Sequence, residues 1–190
     1  MRKPLEGLNI IEIPDGVAVR YCGRLFAAHG ATVTQAGAPR ATGVGFGGAA
    51  SEGYAAWLDD GKCRIDAGFA TVLSAVRKPD LVIAGQTRTM VKSVDATLNG
   101  SVAAAPLRVA LTWFDMNGPY RDWIGTDALI QALSGVAYAT GPRDGSPMLP
   151  RGHAPQIVGG ATAFIAALAA IIGRANGWQG QRIDLDLFQA

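Results

Sequence analysis

Short β-rich runs alternate with segments of helical periodicity, and this alternation constrains the fold more than any other feature of the sequence. The clearest strand is predicted at residues 107–114 (LRVALTWF). Further strands are predicted at residues 8–13, 32–35, 63–67, 80–84 and 182–188. Helices are predicted at residues 19–28, 69–76, 127–139 and 157–175. Strands that alternate with helices pair in parallel, so we expect an α/β fold with a Rossmann-like, doubly wound, mostly parallel sheet.

The size of the chain fits a single domain. Its 190 residues lie within the ~100 to 200 residues that one domain commonly contains. Apolar residues make up 49% and charged residues 17%, which excludes a disordered chain. We therefore expect residues 1–190 to form one Rossmann-like domain. The chain stops at Ala190 directly after the last predicted strand, and we expect a further segment to follow it in the natural protein.

The charge pattern and the N-terminus exclude several function classes. The net charge is +2, and no stretch gathers five or six basic residues, so we expect no nucleic-acid partner. The first apolar stretch is too short for a signal peptide. Cys22 lies in a helical pattern and Cys63 is far from it, so we expect a core position for Cys22, no metal site and a cytoplasmic location.

One uncharged segment is nearly long enough to cross a membrane. Residues 157–173 contain no charge, and ~17 to 25 residues suffice to span the hydrocarbon layer. The segment is mostly Ala and Gly, and aromatic anchors are missing from both of its ends. We expect a buried core helix and no membrane contact.

A glycine-rich motif and the two histidines give little indication of function. Residues 43–48 (GVGFGG) match the GxGxxG dinucleotide pattern, but no predicted strand precedes them and no predicted helix follows. A NAD-binding domain is therefore the least favoured alternative. His29 falls at a helix carboxyl end, where a cap is expected. His153 precedes the long helix and is the better polar candidate, although a surface turn position is favoured for it.

Several segments resemble the family III CoA-transferases, also called the CaiB/BaiF family, which includes formyl-CoA transferase and α-methylacyl-CoA racemase. The segments are residues 21–25 (YCGRL), 31–33 (ATV), 60–62 (DGK), 118–123 (GPYRDW), 131–135 (QALSG) and 180–184 (GQRID). The resemblance implies a Rossmann-like large domain, a second small domain and an interlocked homodimer. Members usually have about twice this length, so the chain corresponds to the N-terminal half without the small domain.

The resemblance also identifies the family's catalytic positions. In the transferases an aspartate before the long helix attacks the acyl-CoA thioester. Counting back without gaps from Gly180 places that position on Gln156, whose neutral amide is a poor nucleophile. The racemases pair this aspartate with a histidine, and the histidine position reads Thr126 here. The resemblance therefore leaves no catalytic residue assigned, and Asp127 is the remaining candidate.

The coenzyme A site that the resemblance implies is also altered. The family's Lys-Val-Glu-Pro stretch reads QAGAP at residues 35–39, and its Glu-Asn-Phe-Arg-Pro-Gly loop reads AGQTRT at residues 84–89. We expect coenzyme A or acyl-CoA binding to be weak or lost. The expected contacts are Asp15, Gly16, Val17, Lys62, Arg88 and Lys92.

Two functional hypotheses follow from these residues. The first is a degenerate, non-catalytic subunit or domain that forms a homodimer, or a heteromer with a second CoA-transferase-like subunit. Its exposed apolar surface is expected on residues 157–172 and beyond Leu187. The alternative is an active acyl-CoA transferase, racemase or hydratase/lyase-like enzyme that uses a different residue, such as Asp127.

Overall fold

A computed structural model of the chain describes residues 3–37, 49–76, 78–99, 106–178 and 182–190. The described residues alternate strands and helices along the chain. In order, the elements are β1 (Asn9–Glu12), α1 (Gly16–Ala28), β2 (Thr32–Ala36), α2 (Ala49–Asp59), β3 (Cys63–Ile65), α3 (Phe69–Ala75), β4 (Leu81–Gln86), α4 (Arg88–Asn99), β5 (Leu107–Thr112), α5 (Asp127–Leu133), α6 (Val136–Ala139), α7 (Ala154–Ala175) and β6 (Arg182–Asp186).

The strands form one parallel sheet in the order β3-β2-β1-β4-β5-β6. In the central register, Ile11 of β1 pairs with Thr34 on one side and with Val82 on the other. The chain winds outward from β1 in one direction and from β4 in the other, so the prediction of a doubly wound parallel sheet is confirmed. In such sheets ligands bind at the carboxyl ends of the strands where the winding direction changes, here those of β1 and β4.

Alternating side chains of the strands supply two separate cores. Ile10, Ile83 and Val109 pack with α1 and α7 on one face of the sheet. Ile11 and Val82 pack with α3 and α4 on the other face. Full burial of such a side chain contributes about 1.5–3 kcal/mol, so the central strands hold both helix layers in place.

Helix α7 packs on α1 through small residues. The side of α7 toward the core carries Gly159, Gly160, Ala163, Ala167 and Ala170. A Cβ atom at Gly160 would lie 2.6 Å from the carbonyl oxygen of Ala18, so only glycine permits this approach of the two helices. The close packing brings the first turn of α7 beside the first turn of α1.

The opposite side of α7 is apolar and exposed. Val158, Ile165 and Ile172 are 51%, 66% and 56% exposed. Among the described residues, α7 is the one helix long and apolar enough to cross a membrane by length and composition. The prediction of a buried core helix therefore holds for one face of α7 only.

The structure differs from the sequence prediction at three helices. Helices α2 and α4 were not predicted from the sequence. The predicted helix 127–139 is two helices, because Gly135 adopts a left-handed conformation with φ +81°. The glycine motif at residues 43–48 and the last two residues of 35–39 lie outside the described residues.

Candidate functional site

Two adjoining pockets lie beyond the carboxyl ends of β1, β4 and β5. The inner pocket has a volume of about 220 Å³. It is lined by Gly16, Val17, Gln86, Trp113, Gly125, Thr126, Asp127, His153 and Gln156. The outer pocket has a volume of about 480 Å³ and shares Gln86, Trp113 and Gly125 with the inner one. Both pockets therefore belong to one site at the place where the winding direction changes.

Gln156 lies in the first turn of α7 and is buried. Its Oε1 atom accepts hydrogen bonds from the backbone N–H groups of Val17 at 2.8 Å and Ala18 at 3.4 Å, and from Nε2 of Gln86. Its Nε2 atom donates to Oδ2 of Asp127 at 2.7 Å. Both ends of the amide are thus engaged, and the two backbone donors require that the oxygen faces α1.

Gly16 is the first residue of α1, and its backbone packs closely against the side chain of Gln86. Its φ is +84°, which favours glycine, and a Cβ atom there would lie 1.8 Å from Cδ of Gln86. Gln86 itself has a φ of +64°, an unusual value for a residue that is not glycine. Strained backbone of this kind is concentrated at functional sites. The end of β4 is therefore shaped around the site.

Asp127 and His153 form a hydrogen-bonded pair in the inner pocket. Thr126 caps α5 by accepting from the N–H of Leu129 at 3.1 Å, which places Asp127 at the start of that helix. Oδ2 of Asp127 lies 2.7 Å from Nδ1 of His153, and the two side chains are 16% and 10% exposed. Because the carboxylate accepts, we assign the proton of the imidazole to Nδ1, which leaves Nε2 as an acceptor.

The free atoms of this pair are buried. Within the described ranges, Nε2 of His153 and Oδ1 of Asp127 have no hydrogen-bond partner. The interpretation of His153 as a surface turn residue is therefore wrong. Sequence spacing gave no signal for the pair, because 26 positions separate the two residues and they begin different helices.

Helix α2 covers His153 with a stack of aromatic rings. The ring of Tyr54 lies 6.0 Å from that of His153 at an interplanar angle of 15°. Trp57 stacks on Tyr54 at 5.6 Å and on Tyr21 at 5.7 Å. Burial, with a further contribution from the charge of Asp127, raises the pKa of the Tyr54 phenol. The stack packs against one face of the imidazole ring.

The outer pocket carries an excess of positive charge. Its charged lining residues are Arg88, Lys92, Arg121 and Asp122. Nη1 of Arg88 donates to Asp122 at 3.1 Å, while the buried Nε of Arg88 has no partner among the described residues. Three cations against one carboxylate, with an unpaired guanidinium donor, fit a phosphate or carboxylate group.

Lys62 lies apart from this cationic group. Its ammonium donates to Oε2 of Glu12 and to the carbonyl oxygen of Arg20, each at 2.7 Å, and its side chain is 1% exposed. Burial raises the pKa of the Glu12 carboxyl and lowers the pKa of Lys62. Lys62 is enclosed and already paired, so we do not include it among the coenzyme A contacts. Asp15 is also buried and lies outside the lining of both pockets.

The buried charge of Lys62 belongs to a larger polar network that joins α1 and α2 to β1 and β2. Asp59 accepts from Nε and Nη2 of Arg20 at 3.0 and 2.9 Å and from Gln35 at 2.7 Å. Gln35 also donates to Glu12 at 3.0 Å. Burial tends to raise the pKa of Asp59, but the hydrogen bonds from Arg20 and Gln35 outweigh burial and leave it below its usual value. This network fastens α2 to α1 and β2.

The fold and the site define a doubly wound α/β protein with an anion-compatible ligand site where the winding direction changes. The chain belongs to CoA-transferase family III, whose sequence profile matches residues 5–190. The family resemblance seen in the sequence is thereby confirmed.

Known proteins of this family match nearly the whole chain. The succinate–glutarate CoA-transferase of Agrobacterium fabrum is 30% identical over 205 residues, which cover 98% of this chain and 51% of that protein. An acyl-CoA transferase of Fusarium pseudograminearum is 27% identical, with 97% of this chain and 45% of that protein covered. The crystal structure of a CAIB/BAIF family protein from Brucella suis superposes with a TM-score of 0.80 at 25% identity, covering 100% of this chain and 54% of that one. The chain spans about half the length of the curated relatives it matches over nearly its whole length.

Proposed function

We propose that this chain is an acyl-CoA-binding member of family III that does not transfer acyl groups through position 156. The observation that carries the proposal is the engagement of Gln156 at both ends of its amide, by Val17 and Gln86 on one side and by Asp127 on the other. A transfer through an acyl-enzyme needs a nucleophile at this position, and a neutral amide with its oxygen held by donors is a poor one.

The two pockets suit different parts of an acyl-CoA. The thioester would lie in the inner pocket beside Gln156, and an anionic part of the ligand would lie in the outer pocket. The unpaired Nε of Arg88 and the side chains of Lys92 and Arg121 support this assignment. Tryptophans 113 and 123 add apolar surface to the same pocket.

The proposal includes association of this chain with a second family-like subunit or domain, either in a homodimer or in a heteromer. Two observations support this association. The chain covers about half of each relative that it matches along nearly its whole length, and α7 exposes an apolar face. The proposal places the protein in a reducing cytoplasm, which the free thiols of Cys22 and Cys63 support.

A second candidate function is an acyl-CoA enzyme that works through a residue other than 156. The contact between Asp127 and His153 favours it, since this pair retains titratable groups in the inner pocket. The two candidates agree on acyl-CoA binding and on the loss of transfer through position 156.

Calorimetry with coenzyme A and mass spectrometry after incubation with glutaryl-CoA test the proposal. We expect measurable binding that weakens about tenfold, or 1.4 kcal/mol, in Arg88→Ala. The matched control is Arg143→Ala, whose side chain is exposed and lies outside both pockets, and its affinity should be unchanged. No acyl adduct should form on the chain. An acyl adduct at residue 156 would overturn the loss of transfer through that position, whereas an adduct at Asp127 would favour the second candidate. Equal effects of the two arginine variants would overturn the assignment of the outer pocket.

A further inference from the structure

A passage lined by three residues connects the inner pocket with the outer one. Gln86, Trp113 and Gly125 line both pockets, and no other residue in the described part of the chain does so. A ligand that extends from the outer pocket into the inner one must therefore pass beside these residues.

Trp113 and Gly125 form a closely packed wall of this passage. A Cβ atom at Gly125 would lie 2.2 Å from Cγ of Trp113, so the indole rests directly on the glycine backbone. Trp113 also packs against the core between the sheet and helices α1 and α7. Because this wall is held in place, the width of the passage depends mainly on the side chain of Gln86.

The side chain of Gln86 is held toward the inner pocket. Its amide lies on the backbone of Gly16, where an added Cβ atom would lie 1.8 Å from both Cδ and Nε2 of Gln86. Its Nε2 atom donates to Oε1 of Gln156. Both Gly16 and Gln156 line the inner pocket, so the Gln86 side chain takes up space at the entrance to that pocket.

We propose that Gln86 is a specificity-determining residue that restricts the inner pocket to the short acyl groups of a bound acyl-CoA. This inference rests on the proposed function, in which the thioester lies in the inner pocket and an anionic part of the ligand lies in the outer pocket. The arm of coenzyme A that joins these two parts then passes Gln86. The acyl group has only the space that lies beyond that side chain.

The volume of the inner pocket sets the length of chain that it can hold. This volume is about 220 Å³. A water molecule takes up about 30 Å³ in the liquid, and a methylene group is of similar size, so the pocket holds roughly seven such groups. The carbon, oxygen and sulfur of the thioester fill part of this space, which leaves room for roughly four further carbons. A propionyl group fits within this limit, whereas an octanoyl group exceeds it.

Removal of the Gln86 side chain would join the two pockets. A longer acyl chain could then turn back through the widened passage into the outer pocket. Phe114, Met116 and Trp123 give that pocket an apolar wall on which the chain could pack. The structure therefore predicts that a smaller residue at position 86 relaxes the preference for short acyl groups.

Calorimetry with propionyl-CoA and octanoyl-CoA tests the proposal. We expect the wild type to bind octanoyl-CoA at least about tenfold more weakly than propionyl-CoA, and Gln86→Gly to bind the two within about threefold of each other. The φ of +64° at position 86 suits glycine, so this variant should fold. The ratio of the two Kd values does not depend on the folded fraction of the sample, so a purely structural role of Gln86 would leave it unchanged.

Gln86→Leu separates the size of the side chain from its hydrogen bond. Leucine has a volume similar to that of glutamine but cannot donate to Gln156, so this variant should keep the wild-type preference for propionyl-CoA. Gln189→Gly, at an exposed position outside both pockets, is the matched control and should also keep it.

The outcomes distinguish this inference from the proposed function. Equal affinities for the two acyl-CoAs in the wild type, or a wild-type preference in Gln86→Gly, would overturn the inference and leave the proposed function standing. A Gln86→Leu variant that behaves like Gln86→Gly would assign the preference to the hydrogen bond with Gln156 and would also overturn the inference. Absence of binding of either acyl-CoA to the wild type would overturn both.

Discussion

The Oε1 atom of Gln156 accepts a hydrogen bond from the backbone N–H of Val17 at 2.8 Å, and this contact joins the first turn of α7 to the first turn of α1. The same side chain donates to Asp127 at 2.7 Å. Position 156 therefore faces donors on one side and a carboxylate on the other. An amide satisfies both neighbours, whereas a carboxylate satisfies only the donors.

Gln156→Glu should destabilise the protein, because the substitution keeps the shape of the side chain and replaces the donor to Asp127 with a second carboxyl group. The loss should be about 1–3 kcal/mol, the cost of a buried polar contact that is no longer satisfied. Two adjacent carboxyls also share a proton, so the loss should grow as pH rises. Urea unfolding between pH 5 and 8 measures it. Gln189→Glu, at an exposed position, is the control, and equal stability of the two variants would contradict the prediction.

The fold was largely predictable because its central strands carry strong local signals. Strands β4 and β5 have long apolar runs that must be buried on both faces of a parallel sheet. Helix α4 was missed because its sequence is rich in Thr, Ser and Asn, which favour other conformations, although Val91, Val94 and Leu98 form its buried side.

The candidate site was predictable only in part. Position 156 was identified through the family resemblance, and Gly16 through its place after the first strand. The pairing of Asp127 with His153 depends on how α5 and α7 are oriented, which no local pattern encodes. Lys62 was assigned to a ligand because sequence alone cannot show that Glu12 lies beside it in the core.

Gly23→Ala should destabilise the protein by about 3 kcal/mol, because an added Cβ would lie 1.8 Å from Oε2 of Glu12. Displacing Glu12 breaks its buried ion pair with Lys62, and a buried pair that loses its geometry costs several kcal/mol. The matched control is Gly53→Ala in α2, where a Cβ meets nothing within 4 Å. That control should be neutral or stabilising by up to about 1 kcal/mol. Thermal melting of both variants measures the difference, and a neutral Gly23→Ala would show that the ion pair can move at little cost.

Asp59→Asn should lower the free energy of unfolding at neutral pH, and this loss should be smaller at acidic pH. The pKa of Asp59 is below its ordinary value of 3.8, so its ionised form stabilises the folded state above that pH, and the stabilisation is lost as pH falls below it. At pH 7 we expect the free energy of unfolding of the variant to be about 3 kcal/mol below that of the wild type, because Arg20 would stay buried without its full partner. Below pH 4 this difference should narrow. Asp60→Asn is the control, because Asp60 is 75% exposed and its pairing with Arg24 should contribute little. A deficit that stays constant from pH 7 to pH 3 would refute the assignment of this stabilisation to the Asp59 charge.

Ile165→Lys should weaken association of the protein with itself or with a family-like partner. Ile165 is 66% exposed in the middle of the apolar face of α7, between Val158 and Ile172. A charge placed at the centre of an apolar interface must be desolvated without a counter-charge, so an association that uses this face should weaken at least tenfold. Light scattering at tens of micromolar measures the molar mass. Ala96→Lys adds the same charge at an exposed position of α4 and should leave association unchanged. A wild-type chain that stays strictly monomeric and thermally stable at this concentration would contradict self-association through the apolar face of α7.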